Sequence, residues 1–147
     1  MTQLLLDLDL KKADGTVKKA SDALAGKRIV ALYFSAHWCP PCRQFTPILK
    51  EFYEEVGDSD IEVIFVSFDE SEQDLNDYLK ESHGDWYHIP FGSSAINTLK
   101  QTYDVSGIPM LIVVRPNGDV VTKKGKADVM GKAPKQTLSG WLAAAGH

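Results

Sequence analysis

Three features of the sequence predict an α/β chain, a mixed central sheet with helices on both faces. The segments Ile29–Ser35 and Ile61–Phe68 are continuous apolar runs, too short for helices and rich in β-branched and aromatic residues, as suits strands covered on both sides. An amphipathic helical stripe lies between them, so the unit reads β-α-β and calls for parallel strands joined by a crossover. Near the C-terminus, Pro116-Asn117-Gly118-Asp119 is a hairpin signal followed by a last helical stripe, which adds a closing ββα unit and makes the sheet mixed. At 147 residues the chain matches one domain of roughly 150 residues. No internal repeat or low-complexity linker divides it.

Taken in order, residues 1–25 offer short strands at Leu4–Leu10 and Thr16-Val17 and a helical turn at Ser21–Leu24, ahead of a core over 26–147. After the strand at Ile29, the residues Phe45, Ile48, Leu49, Phe52, Tyr53 and Val56 recur at i, i+3, i+4, i+7, i+8 and i+11, one stripe of a helix. Gly57 is placed to end it in a left-handed cap, and Pro47 inside it is expected to kink it. Ser71 can cap a further helix carrying Leu75, Tyr78 and Leu79, with Asp74 as an acidic variant of a capping box. Residues 83–90 read as a loop, its His83 and His88 as polar loop residues rather than acid–base groups. Ile96, Leu99 and Tyr103 mark a short helix, Met110–Val114 a third apolar strand, and Val120–Thr122 its antiparallel return. Leu138, Trp141, Leu142 and Ala145 form the final stripe, with Trp141 in the core.

Composition narrows the function classes. With 44% hydrophobic and 24% charged residues the chain can bury a real core. A net charge of −4 argues against direct nucleic-acid binding, which rests on a basic footprint. No apolar run approaches the roughly 20 residues that span a bilayer, so no membrane partner is expected. The N-terminus lacks the basic region of a secretory signal; the expected compartment is the cytoplasm, with the nucleus as a second. Charge is uneven: residues 51–85 hold 13 of the 20 acidic side chains and one base, Lys80. Such a segment reads first as solvated helix faces, and second as a surface that steers a basic partner.

The two cysteines, Cys39 and Cys42, lie too close in sequence to staple distant parts of a fold, which leaves redox chemistry, half a metal site or chance. Zinc needs about four ligands. His37 is nearby but no second cysteine pair follows, so no metal is expected. Trp38-Cys39-Pro40-Pro41-Cys42 sits where the buried strand gives way to the helix. A helix N-terminus offers unpaired N–H groups and the positive end of the macrodipole, both of which favour a thiolate. Cys39 is thus expected at the exposed cap with a lowered pKa, and Cys42 one turn inward on the same face, within reach of Cys39 but hardly of a partner. Pro40 and Pro41 take first-turn positions, where a missing N–H costs little. The chemistry that follows is thiol–disulfide exchange through a mixed disulfide, with no cofactor. Gly107-Ile108-Pro109 precedes the third strand; by itself it is a loop proline, but beside a strand–CxxC–helix unit it gains weight as a cis-proline element.

Trp-Cys-x-x-Cys after a buried strand, Pro47 five residues past Cys42, and Ile108-Pro109 together resemble the thioredoxin superfamily, over residues 20–147. Finer features are similar to its tryparedoxin and nucleoredoxin branch: Tyr33 to Arg43 as a block, Ser67-Phe68-Asp69-Glu70-Ser71, Trp86 with Ile89-Pro90-Phe91, and Tyr103 to Pro109. The size also resembles the 16-kDa thioredoxin-related proteins of invertebrates. The resemblance implies a thioredoxin-like three-layer α/β/α fold. It further implies a cis Pro109, an Ile108 backbone beside Cys39 that pairs with extended substrate, and Trp38 shielding one side of the dithiol. Trp86 is expected at the rim of the site, packing there or touching substrate. Where ordinary thioredoxins carry a buried Asp, this chain has Tyr33, so proton transfer needs another route; Glu70 is the candidate, against the plainer reading of a solvated carboxylate. Phe68 stands where tryparedoxins have tryptophan.

The expected activity is that of a protein-disulfide reductase. Its partners are disulfide-containing proteins as substrates and an external thiol or reductase as electron donor, and the chain is expected to be a monomer. The alternative is a redox-gated binding module that holds signalling or transcription factors.

Overall fold

The computed structural model describes Leu5 and residues 7–146. Part of the strand expected at Leu4–Leu10 therefore falls outside the described residues. Among these residues thirteen elements follow one another: β1 (Asp9–Lys11), β2 (Val17–Lys19), α1 (Ala20–Ala23), β3 (Ile29–Ser35), α2 (Pro40–Val56), β4 (Ile61–Ser67), α3 (Glu72–Ser82), β5 (Tyr87–His88), α4 (Ser94–Thr102), β6 (Met110–Val114), β7 (Val120–Thr122), α5 (Gly125–Gly131) and α6 (Pro134–Ala145). The seven strands form one sheet in the order β2-β1-β5-β4-β3-β6-β7. No helix among the described residues is long and apolar enough to cross a membrane.

The two apolar runs are the centre of this sheet. β3 and β4 pair in parallel from Ile29 opposite Ile61 to Ser35 opposite Ser67, and all seven residues of each are buried. Alternation sorts their side chains into two cores. Ile29, Ala31 and Tyr33 join Phe45, Leu49 and Phe52 of α2, Leu75 and Tyr78 of α3, and Trp141 of α6. Val30, Leu32 and Phe34 face the other way, toward Leu10, Leu24, and Leu99 of α4. Helices therefore cover both faces, as continuous apolar strands require.

α2 begins with Pro40 and Pro41, runs through Pro47 as one element, and ends at Gly57, whose φ of 74° lies in the left-handed region. Ser71 caps α3 by accepting from the Asp74 N–H at 3.1 Å, as its position in the sequence suggests. Two elements carry no clear sequence signal. β5 is two residues inside the expected loop, pairing in parallel with β4 and antiparallel with Lys11 of β1, so it ties the N-terminal hairpin to the sheet. α5 starts at Gly125, where an added Cβ would lie 2.8 Å from the Leu111 carbonyl oxygen, so only glycine lets the helix approach β6 this closely.

His83 and His88 are not polar loop residues. Both are buried, at 8% and 4% exposure. His83 packs against the rings of Phe65 and Tyr78 at 4.3 and 4.4 Å, and its Nδ1 lies 3.1 Å from the Tyr78 carbonyl. Burial pushes His83 down to about 3 and His88 down to about 4, so neither carries charge near neutrality.

Candidate active site

The site forms where the central strands end. β3 and β4 run parallel and finish side by side at Ser35 and Ser67, and the Phe68 N–H donates to the Ser35 carbonyl at 2.9 Å. β6 runs antiparallel to β3 and enters with Met110 opposite Phe34, so the loop before it reaches the same edge. Three loops thus converge: 36–39 before α2, 68–71 before α3, and 103–109 before β6.

Cys39 is the N-cap residue of α2, with extended backbone (φ −100°, ψ 107°), and its Sγ accepts from the Cys42 N–H at 3.3 Å. The two cysteines are joined in a disulfide with their Cα atoms 5.2 Å apart. Cys42 is fully buried. Cys39, expected to be exposed, has 6% exposure in this oxidised state, only a narrow approach to the sulfur. The Ile108–Pro109 peptide is cis, and the Ile108 carbonyl oxygen lies 3.9 Å from Cys39 Sγ. The expected neighbours Cys39, Cys42, Ile108 and Pro109 are therefore brought together. Pro40 and Pro41 lie exposed at the start of the helix.

Trp38 stands beside the dithiol with 55% exposure, and its indole N–H donates to the Phe68 carbonyl at 3.1 Å. It forms one wall of a groove of about 460 Å³ that also includes Phe68, Val105 and Ile108. Ala36, Cys39 and Cys42 pack as a small apolar cluster against Phe68 and Ile108.

Beneath the dithiol, Tyr33 is fully buried and joins the inner cysteine through its backbone. Its hydroxyl donates to the Cys42 carbonyl at 3.3 Å and lies 2.6 Å from Thr46 Oγ1, which donates to the same carbonyl at 2.9 Å. Thr46 Oγ1 in turn lies 2.5 Å from the Tyr78 hydroxyl, and that hydroxyl 2.6 Å from Ser35 Oγ. Burial and the adjacent Tyr78 push the Tyr33 hydroxyl well above the ordinary tyrosine range, so it stays protonated. Tyr33 is a hydrogen-bond donor here, not a base.

Two expectations are corrected. Trp86 is not at the rim of the site: it has 2% exposure and packs edge-on against Tyr53, near the far end of α2, with ring centroids 5.5 Å apart. A flat aromatic ring next to an apolar strand was drawn into the core by the area it buries. Glu70 is exposed, and among the described residues no hydrogen bond or ion pair joins it to either cysteine. The carboxylate built into the site wall is its neighbour Asp69, with 8% exposure, which accepts from the His37 N–H at 2.7 Å and from the Ser67 hydroxyl at 2.7 Å. Burial raises the Asp69 pKa, against the opposing effect of those two hydrogen bonds. Its sequence signal was present but local: an acid two residues beyond a strand-ending serine, placed to close on that serine and on the neighbouring loop.

A family model described as Thioredoxin-like matches residues 26–120. The crystal structure of thioredoxin from Wuchereria bancrofti is 74% identical with a TM-score of 0.85, covering 95% of this chain and 97% of that one. Tryparedoxin I from Leishmania major is 41% identical with a TM-score of 0.75, covering 86% and 90%. Nucleoredoxin of Mus musculus is 41% identical over 113 residues, which are 75% of this chain and 25% of nucleoredoxin. The chain thus spans about a quarter of the length of that relative. With a disulfide-bonded pair at the cap of its second helix, the chain belongs to the thioredoxin-like family of dithiol/disulfide oxidoreductases, on its tryparedoxin and nucleoredoxin branch.

Proposed function

We propose that this chain is a protein-disulfide reductase that works through a mixed disulfide at Cys39. The observation that carries the reading is the Cys39–Cys42 disulfide at the N-terminus of α2, with the Ile108 carbonyl beside the outer sulfur. In the reduced protein, the helix macrodipole and the Cys42 N–H aimed at Cys39 Sγ favour the outer thiolate.

The Cys39 thiolate attacks one sulfur of a substrate disulfide. The substrate S–S bond breaks, and its other sulfur leaves as a thiolate that takes a proton from water. Cys42 loses its proton to water and attacks Cys39 Sγ, breaking the mixed disulfide and releasing the second substrate thiolate. Two electrons pass from the protein dithiol to the substrate, and the protein is left with the disulfide seen here. An external thiol reductant returns the two electrons. Trp38, Phe68 and Ile108 supply an apolar wall, and the Ile108 backbone offers an edge on which an extended segment can pair.

Reduction of insulin in dithiothreitol tests the reading. The wild-type chain is expected to accelerate it and Cys39→Ser to abolish the acceleration. Cys42→Ser is expected to hold substrate in a covalent complex released by excess thiol. An unchanged rate in Cys39→Ser overturns the proposal.

A further inference from the structure

The groove beside the dithiol has one charged side chain in its lining, Lys100. The other residues are apolar or neutral, among them Trp38, Phe68, Val105 and Ile108. Lys100 is exposed on α4, and its Nζ stands 5.4 Å from the centre of the Phe68 ring. Among the described residues it has no ion-pair partner; the four ion pairs there use Lys12, Lys19, Lys27 and His37. A contact of this kind with a ring face positions an exposed ammonium without neutralising it. The wall that carries Lys100 belongs to residues 86–147, which hold seven bases and three acids, in contrast to the acidic segment at 51–85.

We propose that Lys100 is a specificity-determining residue, selecting polypeptide substrates that carry an Asp or Glu beside the cysteine under attack. This rests on the reductase reading above. With the substrate sulfur at Cys39 and its backbone along Ile108, a neighbouring side chain enters the groove between Trp38 and Phe68, and a carboxylate there meets Lys100. An apolar groove with a single uncompensated cation favours an anionic group and penalises a second cation, which gives discrimination by repulsion as well as by attraction.

The test uses the full chain, pre-reduced and freed of reductant, with synthetic peptides closed by an internal disulfide that differ only in having Glu, Gln or Lys next to the attacked cysteine. Single-turnover rates are read from the change in the protein's tryptophan fluorescence at low and high salt. The wild type is expected to reduce the Glu peptide several-fold faster than the Lys peptide, with the ratio shrinking as salt rises. Lys100→Gln is expected to flatten the ratio, Lys100→Glu to invert it and Lys100→Arg to keep it. A Glu-to-Lys ratio that is the same in the wild type and in Lys100→Glu overturns the proposal. So does a Lys100→Gln effect confined to glutathione disulfide, which would assign the cation to a small carboxylate ligand. Wild-type reduction of neutral hydroxyethyl disulfide, lost in Cys39→Ser, reports the dithiol chemistry separately. A failure there strikes the reductase reading, whereas a failure of the peptide ratios alone strikes only Lys100.

Discussion

Among the described residues Asp69 and Glu62 are the two buried acidic side chains, and they are held in different ways. Asp69 bridges two of the loops that build the site, through the His37 N–H and the Ser67 hydroxyl. Asp69→Ala leaves both donors without that acceptor and is expected to cost about 1–3 kcal/mol of stability. Asp69→Asn keeps an acceptor for the His37 N–H and is expected to cost less; urea unfolding of both variants at pH 7 measures the difference. Glu62, on β4, accepts from the Tyr53 hydroxyl at 2.8 Å and the Val63 N–H at 3.0 Å. Burial nevertheless raises its pKa above the ordinary 4.5. The folded state then holds this proton more firmly than the unfolded chain, so the Glu62 contribution to stability falls as pH rises from about 4.5 through the raised folded value. Glu62→Gln keeps an acceptor for both donors and does not titrate. The stability difference between the variant and the wild type is expected to move in the variant's favour between pH 4 and pH 7, and a constant difference in urea midpoints over that range would contradict this assignment.

At the scale of the element, α3 and α5 each depend on one residue at their start. Ser71 closes the first turn of α3, whose Tyr78 lies in the hydroxyl chain under the dithiol and whose Glu81 pairs with His37 at 3.2 Å. Ser71→Ala is expected to lose about 0.5–2 kcal/mol, the usual worth of an N-cap. α5 depends on the absence of a side chain at Gly125. A Cβ there would meet the Leu111 carbonyl oxygen at 2.8 Å and Leu111 Cγ at 2.9 Å, and the oxygen belongs to the sheet backbone. Gly125→Ala is expected to destabilise by about 1–3 kcal/mol, as overpacking does, and thermal unfolding checks it. Both boundaries differ in how visible they are in the sequence. The Ser71 cap was legible because its signal and its partner lie within one turn. α5 was not, because the reason for its first residue is a strand fourteen positions earlier in the chain.

For the whole molecule, the buried histidines contribute to the response to acid. His83 and His88 fall to about 3 and about 4 from 6.5 in the fold, so the unfolded chain takes up their protons first. Their contribution to stability is complete above about pH 6.5 and is lost as pH drops toward 4 and 3. Urea midpoints measured from pH 7 to pH 4 are expected to fall less steeply in His88→Phe than in the wild type. The two rings also mark where a linear reading misleads. The segment from His83 to Pro90 holds the Gly84 and Pro90 that suggest a loop, yet β5 forms within it because β1 and β4 lie on either side to pair with it. Trp86 went into the core for a similar reason, since Tyr53 and His83 close around its ring.

The sequence by itself determined the βαβ core, the placement of Cys39 at a helix cap with Cys42 one turn behind it, and the closing hairpin and helix. Each of these follows from periodicity or spacing within a few residues, where backbone geometry alone fixes which side chains are neighbours. Only the tertiary structure decided that Ile108 and Pro109 stand at the outer sulfur, that Asp69 rather than Glu70 is the carboxylate built into the site wall, and that Trp86 packs in the core beside Tyr53, toward the far end of α2. Those contacts join residues distant in the chain or choose between adjacent ones. Parallel β3 and β4 ending beside an incoming β6 make that choice, because the sheet fixes which loop ends meet and packing fixes which side chains turn inward.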